Sequence, residues 1–169
     1  MIEIKFFNKL VNVNSKDLIN IELNSRLDKL SIYDKFYLNP IYSCFLDFSD
    51  NNCLSGNAQI YLAFDKKKLI GFIIGFYTIP WKSQFIPSYI ENYKYYISSL
   101  YVLKEYQRKK IGTKLINSLI NHCKYKINEF FLTINCNNSN AIIFYEKLGF
   151  KFIKKIEKYN LFLYKLSYE

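Results

Sequence analysis

Between Tyr93 and Gly149 the chain reads as strand, helix, strand, helix, and that order restricts the folds open to it. "YKYYISSLYVL" (93–103) is aromatic and β-branched, the composition of a pleated, half-buried strand. Residues 110–125 place Ile111, Leu115, Leu119 and Cys123 on one stripe at helical spacing. "EFFLTINCN" (129–137) returns to strand, and "SNAIIFYEKLG" (139–149) is a helix that stops at a glycine. Two strands joined through a helix cannot form a tight hairpin. If they are neighbours in one sheet, the crossover makes them parallel. At least one neighbouring strand pair is therefore expected to be parallel.

The flanking segments complete the pattern. Residues 2–7 read as a short strand. Residues 14–27, with a cap-like Ser15 and apolar positions at 18, 19, 23 and 27, suggest a helix. Residues 31–40 suggest a second helix or helical turns, interrupted near Pro40. A turn-rich loop follows at 47–57, then strands at 58–64 and 68–79, which the "DKKK" segment joins as a hairpin. Residues 80–92 contain two prolines and form an excursion, and "FKFIKKI" and "LFLYKLSY" form a terminal hairpin around "EKYN". The order β, α, α, β, β, β, α, β, α, β, β defines an α+β class. It predicts a mixed, mostly antiparallel sheet of about seven strands flanked by about four helices. With 169 residues and no internal repeat or linker, residues 1–169 are expected to form one domain.

Composition narrows the function. Half the residues are hydrophobic, enough for a substantial core. The bias to Tyr, Phe, Asn, Lys and Ile resembles coding from an AT-rich genome and is treated as background. The net charge of +10 admits nucleic acid, an anionic membrane or an anionic small ligand as partner. The cations are scattered, with local clusters at 66–68, 108–110 and 154–155 and no arginine-rich run, so no specific nucleic-acid site is expected. Cys44, Cys53, Cys123 and Cys136 form no C-x-x-C pair and His122 is the only histidine, which argues against a zinc or haem site. Packed, reduced thiols fit the cytoplasm. "MIEIKFFNKL" lacks the apolar core of a secretion signal. The apolar run from Leu69 to Trp81 is too short to span a bilayer and reads as a buried strand.

"YQRKKIGTKLI" (106–116) crowds one amide, four cations, a glycine and a hydroxyl against a helix start. The first turn of a helix presents unbonded N–H groups and the positive end of the dipole. Backbone amides from Arg108 to Thr113 can therefore converge on a diphosphate, with Gln107, Arg108, Lys109 and Lys110 adding side-chain donors. On its own the segment reads equally as an ordinary loop with exposed cations.

A second segment tilts the balance. "YYISSLYVLKEYQRKKIGTKLINSLI" and "NNSNAIIFYEKLGF" together resemble the two signatures of the Gcn5-related N-acetyltransferase (GNAT) superfamily. Within it, "YYISSLYVLKEYQRKKIG" and "SIYDKFY" are most similar to eukaryotic protein N-alpha-acetyltransferases of the San (NatE) and Golgi-associated NatF types. The resemblance is strong over 93–150 and weaker over 31–37 and 58–79. It implies the GNAT fold, with a splay between the fourth and fifth strands that takes acetyl-CoA. The pantetheine would meet the backbone of Leu100 and Val102. The pyrophosphate would meet Gln107, Arg108, Lys109, Lys110, Ile111, Gly112 and Thr113. Asn138 and Tyr145 would line the thioester end. The family loop reads Gln/Arg-x-x-Gly-x-Gly/Ala, and Lys110 stands at its first glycine. In a helical backbone that lysine costs little, and its amide still donates.

Acetyl transfer to an amine requires a base, a donor set for developing oxyanion charge and a proton for the departing thiolate. The resemblance assigns Tyr96 as base, backbone N–H groups near Leu100 to the second task and Tyr145 to the third. A free tyrosine titrates near ~10, so Tyr96 needs a water relay or a strongly shifted pKa. San-type enzymes carry a histidine where this chain has Thr133, which can hold a water. Glu91, Glu105 and Glu129 are further candidate bases without positional support. Ser31, Tyr33, Thr133 and Tyr159 would face the acceptor, although the Phe-Pro pair of the San-type substrate loop is absent and the terminal hairpin is short. The expected acceptor is a peptide or protein N-terminus. The alternative is a small amine such as glucosamine 6-phosphate or a polyamine. An auxiliary subunit or a second copy would close the more open cleft. A non-catalytic acyl-CoA-binding or nucleic-acid-associated module is the third reading.

Overall fold

The computed structural model describes residues 1–6, 58–77 and 95–168. The expected helices at 14–27 and 31–40, the loop at 47–57, the excursion at 80–92, and Ser31, Tyr33 and Glu91 lie outside them. The described elements are β1 (Ile2–Phe6), β2 (Ala58–Asp65), β3 (Lys68–Tyr77), β4 (Tyr95–Val102), α1 (Ile111–Cys123), β5 (Glu129–Asn135), α2 (Ser139–Lys147), β6 (Lys151–Ile156) and β7 (Leu161–Ser167). Short 3₁₀ turns occupy Lys104–Tyr106 and Glu157–Tyr159. Element types match the sequence expectation throughout these residues.

Among the described residues the sheet has seven strands in the order β1-β2-β3-β4-β5-β7-β6. β4 and β5, joined through α1, are parallel, with Tyr96 opposite Phe131 and Ile97 opposite Leu132. This is the parallel pair that the strand-helix-strand order demanded, and it falls where the splay is expected. Among the described residues, no helix is long and apolar enough to cross a membrane.

The chain divides into two compact units, Met1–Ile74 with Ser99–Leu119, and Gly75–Ser98 with Ile120–Glu169. In the first, β1 pairs antiparallel with β2 from Ile2↔Asp65 to Phe6↔Tyr61. A two-residue turn, with Lys66 left-handed at φ 56, returns the chain into β3. Ile60, Leu62, Leu69, Phe72 and Ile74 form a buried cluster that Phe64, Tyr101 and Leu103 cover. A Cβ on Gly71 would lie 2.6 Å from the Tyr101 carbonyl oxygen, so only glycine lets these backbones approach so closely. The α1 stripe is buried as expected, with Ile111, Leu115 and Leu119 at most 1% exposed, and Ile116 joins it.

In the second unit β5 pairs antiparallel with β7 from Glu129↔Ser167 to Asn135↔Leu161, and β7 pairs with β6. Phe130, Phe131, Leu132 and Ile134 are all buried. A strand buried on both faces reads as a continuous apolar run, and β5 does. Asn138 caps α2, its Oδ1 accepting from the Ala141 N–H at 3.2 Å. Gly149, at φ +91, ends that helix.

Candidate active site

Residues 103–110 form the connection from β4 to α1 in the first unit. The Tyr106 N–H donates to the Leu103 carbonyl (2.8 Å) and the Gln107 N–H to the Lys104 carbonyl (3.2 Å), which tightens the turn. Gln107 Nε2 donates back to the Val102 carbonyl at 3.0 Å, occupying one of its two lone pairs. Arg108 and Lys110 then adopt left-handed backbones, φ 61 and 60. Such a conformation costs a non-glycine residue about 1–2 kcal/mol. The expectation of a helical backbone at Lys110 is therefore corrected. The family glycine position carries a positive φ, and the lysine bears its strain.

Left-handed residues flank Lys109, and alternation of left-handed with ordinary backbone is the conformation found in anion-binding concavities. The first bond of α1 runs from the Lys114 N–H to the Lys110 carbonyl at 3.0 Å, so the N–H groups of Ile111, Gly112 and Thr113 precede the helical ladder. Gln107, Arg108, Lys109 and Lys110 are exposed, Gly112 and Thr113 half-buried, and the Ile111 side chain is core. Ile111 thus offers a backbone donor only. Leu100 and Val102 are half-buried on β4.

A second cluster lies in the other unit. α2 ends in a Schellman motif. The Gly149 N–H bonds the Glu146 carbonyl at 2.9 Å and the Phe150 N–H bonds the Tyr145 carbonyl at 3.1 Å. The Tyr145 and Phe150 rings meet edge to face at 5.4 Å, the apolar contact that accompanies this motif. The sequence Tyr-Glu-Lys-Leu-Gly-Phe is therefore a device that locks the backbone and ring of Tyr145.

Tyr96 of β4 is 8% exposed, and its hydroxyl lies 2.6 Å from Thr133 Oγ1 of β5. Burial raises the Tyr96 phenol above a tyrosine's usual value, and the Thr133 hydrogen bonds offset part of that rise. Tyr145 is half-buried as a residue, but its phenol is desolvated and is pushed far up, with a further contribution from Tyr96. Both phenols therefore keep their protons at neutral pH and act as donors. The pair Tyr96–Thr133 links two hydroxyls, each able to donate one hydrogen bond and accept others. Sequence reasoning missed this contact, because it depends on the β4–β5 register.

Glu105 is tied to Lys68 at 3.2 Å, and its own backbone N–H, then Lys68, lower its pKa, which weakens it as a base. Glu129 pairs with Lys165 at 2.9 Å, and His122 is exposed on α1. Tyr159 is half-buried in the β6–β7 turn beneath Lys158, whose Nζ lies 5.3 Å from the ring centroid. Left-handed Asn160 (φ 52) closes that turn. Among the described residues, no group of His, Cys, Asp and Glu is arranged to hold a metal ion.

Residues 26–150 match the Acetyltransferase (GNAT) family. An "N-alpha-acetyltransferase" of Saccharolobus solfataricus is 37% identical over 76 residues, 44% of each chain. "N-alpha-acetyltransferase 50" of Danio rerio is 36% identical over 66 residues, 38% of this chain and 39% of that one. A "Probable spermine N(1)-acetyltransferase" of Bacillus subtilis subsp. natto is 35% identical over 71 residues, 39% of this chain and 47% of that one. The aligned region thus spans less than half the length of these relatives. Among solved structures, the paia N-acetyltransferase of Thermoplasma acidophilum in complex with coenzyme A superposes with a TM-score of 0.70 at 24% identity, over 99% of both chains.

Proposed function

The chain belongs to the acetyltransferase (GNAT) family, and from that premise we propose that it is an acetyl-CoA-dependent N-acetyltransferase. We propose a single domain over residues 1–169 and, as acceptor, the α-amino group of a peptide or protein N-terminus. The observation that carries the acceptor reading is the similarity to the N-alpha-acetyltransferases of Saccharolobus solfataricus and Danio rerio, and the Tyr96–Thr133 pair offers a proton path for it. Where the San-type resemblance assigns a basic tyrosine, the chain holds a buried phenol bonded to a second hydroxyl.

The residues present fit the cofactor. The concave backbone at 108–110 and the N–H groups of Ile111, Gly112 and Thr113 suit a diphosphate, and the exposed Arg108, Lys109 and Lys110 add charge. Acetyl-CoA, when bound, supplies an activated acetyl group on a thioester. The chain's own contribution is binding, orientation and proton handling. Tyr96 Oη receives a proton from the acceptor amine, directly or through water, as it passes its own to Thr133 Oγ1, which releases one to water in turn, or directly to an adjoining water. Tyr145 Oη keeps its proton across the neutral range and, with the cofactor bound, would donate a hydrogen bond to the sulfur as the thiolate forms. The locked C-terminus of α2 keeps that hydroxyl in one place.

A second reading, a polyamine acceptor, has one specific support in the Bacillus relative. The net charge of +10 opposes it, because a polycation is repelled at long range. CoA release decides the matter, measured with a panel of N-terminal peptides, with spermidine and with glucosamine 6-phosphate. Turnover with peptides and none with the small amines is expected. The reverse pattern overturns the peptide reading.

A further inference from the structure

Two basic runs far apart in sequence, 66–68 and 108–110, meet on one aromatic ring. Tyr106 carries Lys68 Nζ at 5.4 Å and Lys109 Nζ at 5.1 Å from its ring centroid. Its hydroxyl donates to Asp65 Oδ2 at 3.1 Å, at the end of β2. Glu105 adds a bond to Lys68 at 3.2 Å on the same β2–β3 hairpin. The residue after Tyr106 ties itself to Val102, and the left-handed Arg108 and Lys110 follow at once.

A loop with two strained residues needs contacts that over-determine it, because a free loop would relax both residues into ordinary backbone wells. Tyr106 is the one side chain of this segment that binds it to the β2–β3 hairpin through a hydroxyl and through its ring. The Asp65 bond fixes the ring, and the ring fixes the position of the Lys109 ammonium. We propose that Tyr106, anchored by Asp65, is a positioning residue for the diphosphate-binding loop. It holds residues 107–110 in their concave form before the cofactor arrives. The inference rests on the reading of that loop as the cofactor site. It adds a residue pair beyond Gln107–Gly112 that sets cofactor affinity without touching the reacting atoms.

The test uses the full chain and CoA as the probe. Tyr106→Phe keeps the ring and deletes the bond to Asp65. It should weaken CoA binding about five- to tenfold by calorimetry, the loss of a hydrogen bond to a charged acceptor discounted for partial exposure. The KM for acetyl-CoA should rise by the same factor with kcat unchanged. Without ligand, backbone amides 107–113 should exchange faster in Tyr106→Phe than in wild type. Asp65→Asn keeps an oxygen acceptor and should stay within about twofold of wild type, whereas Asp65→Ala should match Tyr106→Phe. The double variant Asp65→Ala/Tyr106→Phe should be no worse than either single change, because both delete one interaction. If Tyr106→Phe binds CoA as tightly as wild type, the positioning role falls and the cofactor reading stands. If wild type itself does not bind CoA, both fall.

Discussion

The cofactor loop and the tyrosine cluster solve opposite problems. Residues 107–113 act through the backbone: exposed cations, two left-handed residues and the first N–H groups of α1. In the proposed mechanism Tyr96, Thr133 and Tyr145 act through side chains whose properties come from burial. A backbone device tolerates substitution, since almost any residue supplies an amide, and so a lysine can stand at a glycine position. A buried hydroxyl pair does not, because removing one partner leaves a desolvated polar atom unpaired. The largest mutational effects are therefore expected in the tyrosine cluster and the smallest in the loop.

Tyr96→Phe tests the upper end. It removes the hydroxyl while keeping the ring in the core, and turnover should fall about 10²-fold, the usual contribution of a positioned proton-transfer group. The KM for acetyl-CoA should be unchanged. An unaltered rate would remove Tyr96 from the mechanism and leave Thr133 and water as the proton path.

The same burial predicts how stability depends on pH. Burial raises the phenols of Tyr96 and Tyr145 in the folded state. Below the unfolded value near ~10 both states keep the proton and stability is flat. Above it the unfolded chain releases protons that the folded one retains, so stability falls, by at most about 1.4 kcal/mol per pH unit for each tyrosine that stays protonated in the folded state. Urea unfolding between about pH 9.5 and 11.5 should show this slope, and Tyr145→Phe should reduce it by about one proton's worth. An unchanged slope would mean that the Tyr145 phenol is solvated.

Legibility in the sequence followed the same division. The strand-helix-strand order of 93–137 required the parallel β4–β5 pair, because period and connection length are local properties. The stop at Gly149 was legible, since a glycine after a helical stripe signals a left-handed cap. Its consequence for Tyr145 was not, because the ring contact with Phe150 is three-dimensional. The Tyr96–Thr133 bond needs the register of two strands 37 residues apart, which no local pattern encodes. The Asp65–Tyr106 bond spans 41 residues and was invisible for the same reason. At Lys110 the residue type was read correctly, but its backbone conformation was not. A lysine gives no sign of φ 60, whereas a glycine would have.

Gly149→Ala sharpens the comparison at intermediate size. A Cβ there meets Leu166 Cδ1 at 3.4 Å, an ordinary contact, so the cost comes from φ +91 and not from crowding. The loss should be about 1 kcal/mol of stability by urea denaturation. Because the cap holds Tyr145, kcat should fall while the KM for acetyl-CoA stays near wild type. A stability loss with full kcat would mean that Tyr145 is positioned by the core and not by the helix end.

Lys110→Gly should have the smallest effect. Relief of the left-handed strain is worth about 1–2 kcal/mol in the folded state. Against it, glycine adds roughly 0.5–1 kcal/mol of conformational entropy to the unfolded chain. The net gain is then a few tenths to about 1 kcal/mol, visible as a rise of a few degrees in Tm. CoA affinity should stay within about twofold, since the amide remains and only an exposed, screened ammonium is lost. A tenfold weakening would show that the Lys110 ammonium itself grips a phosphate oxygen. The loop would then depend on a side chain as strictly as the tyrosine cluster does, and the contrast between the two regions would disappear.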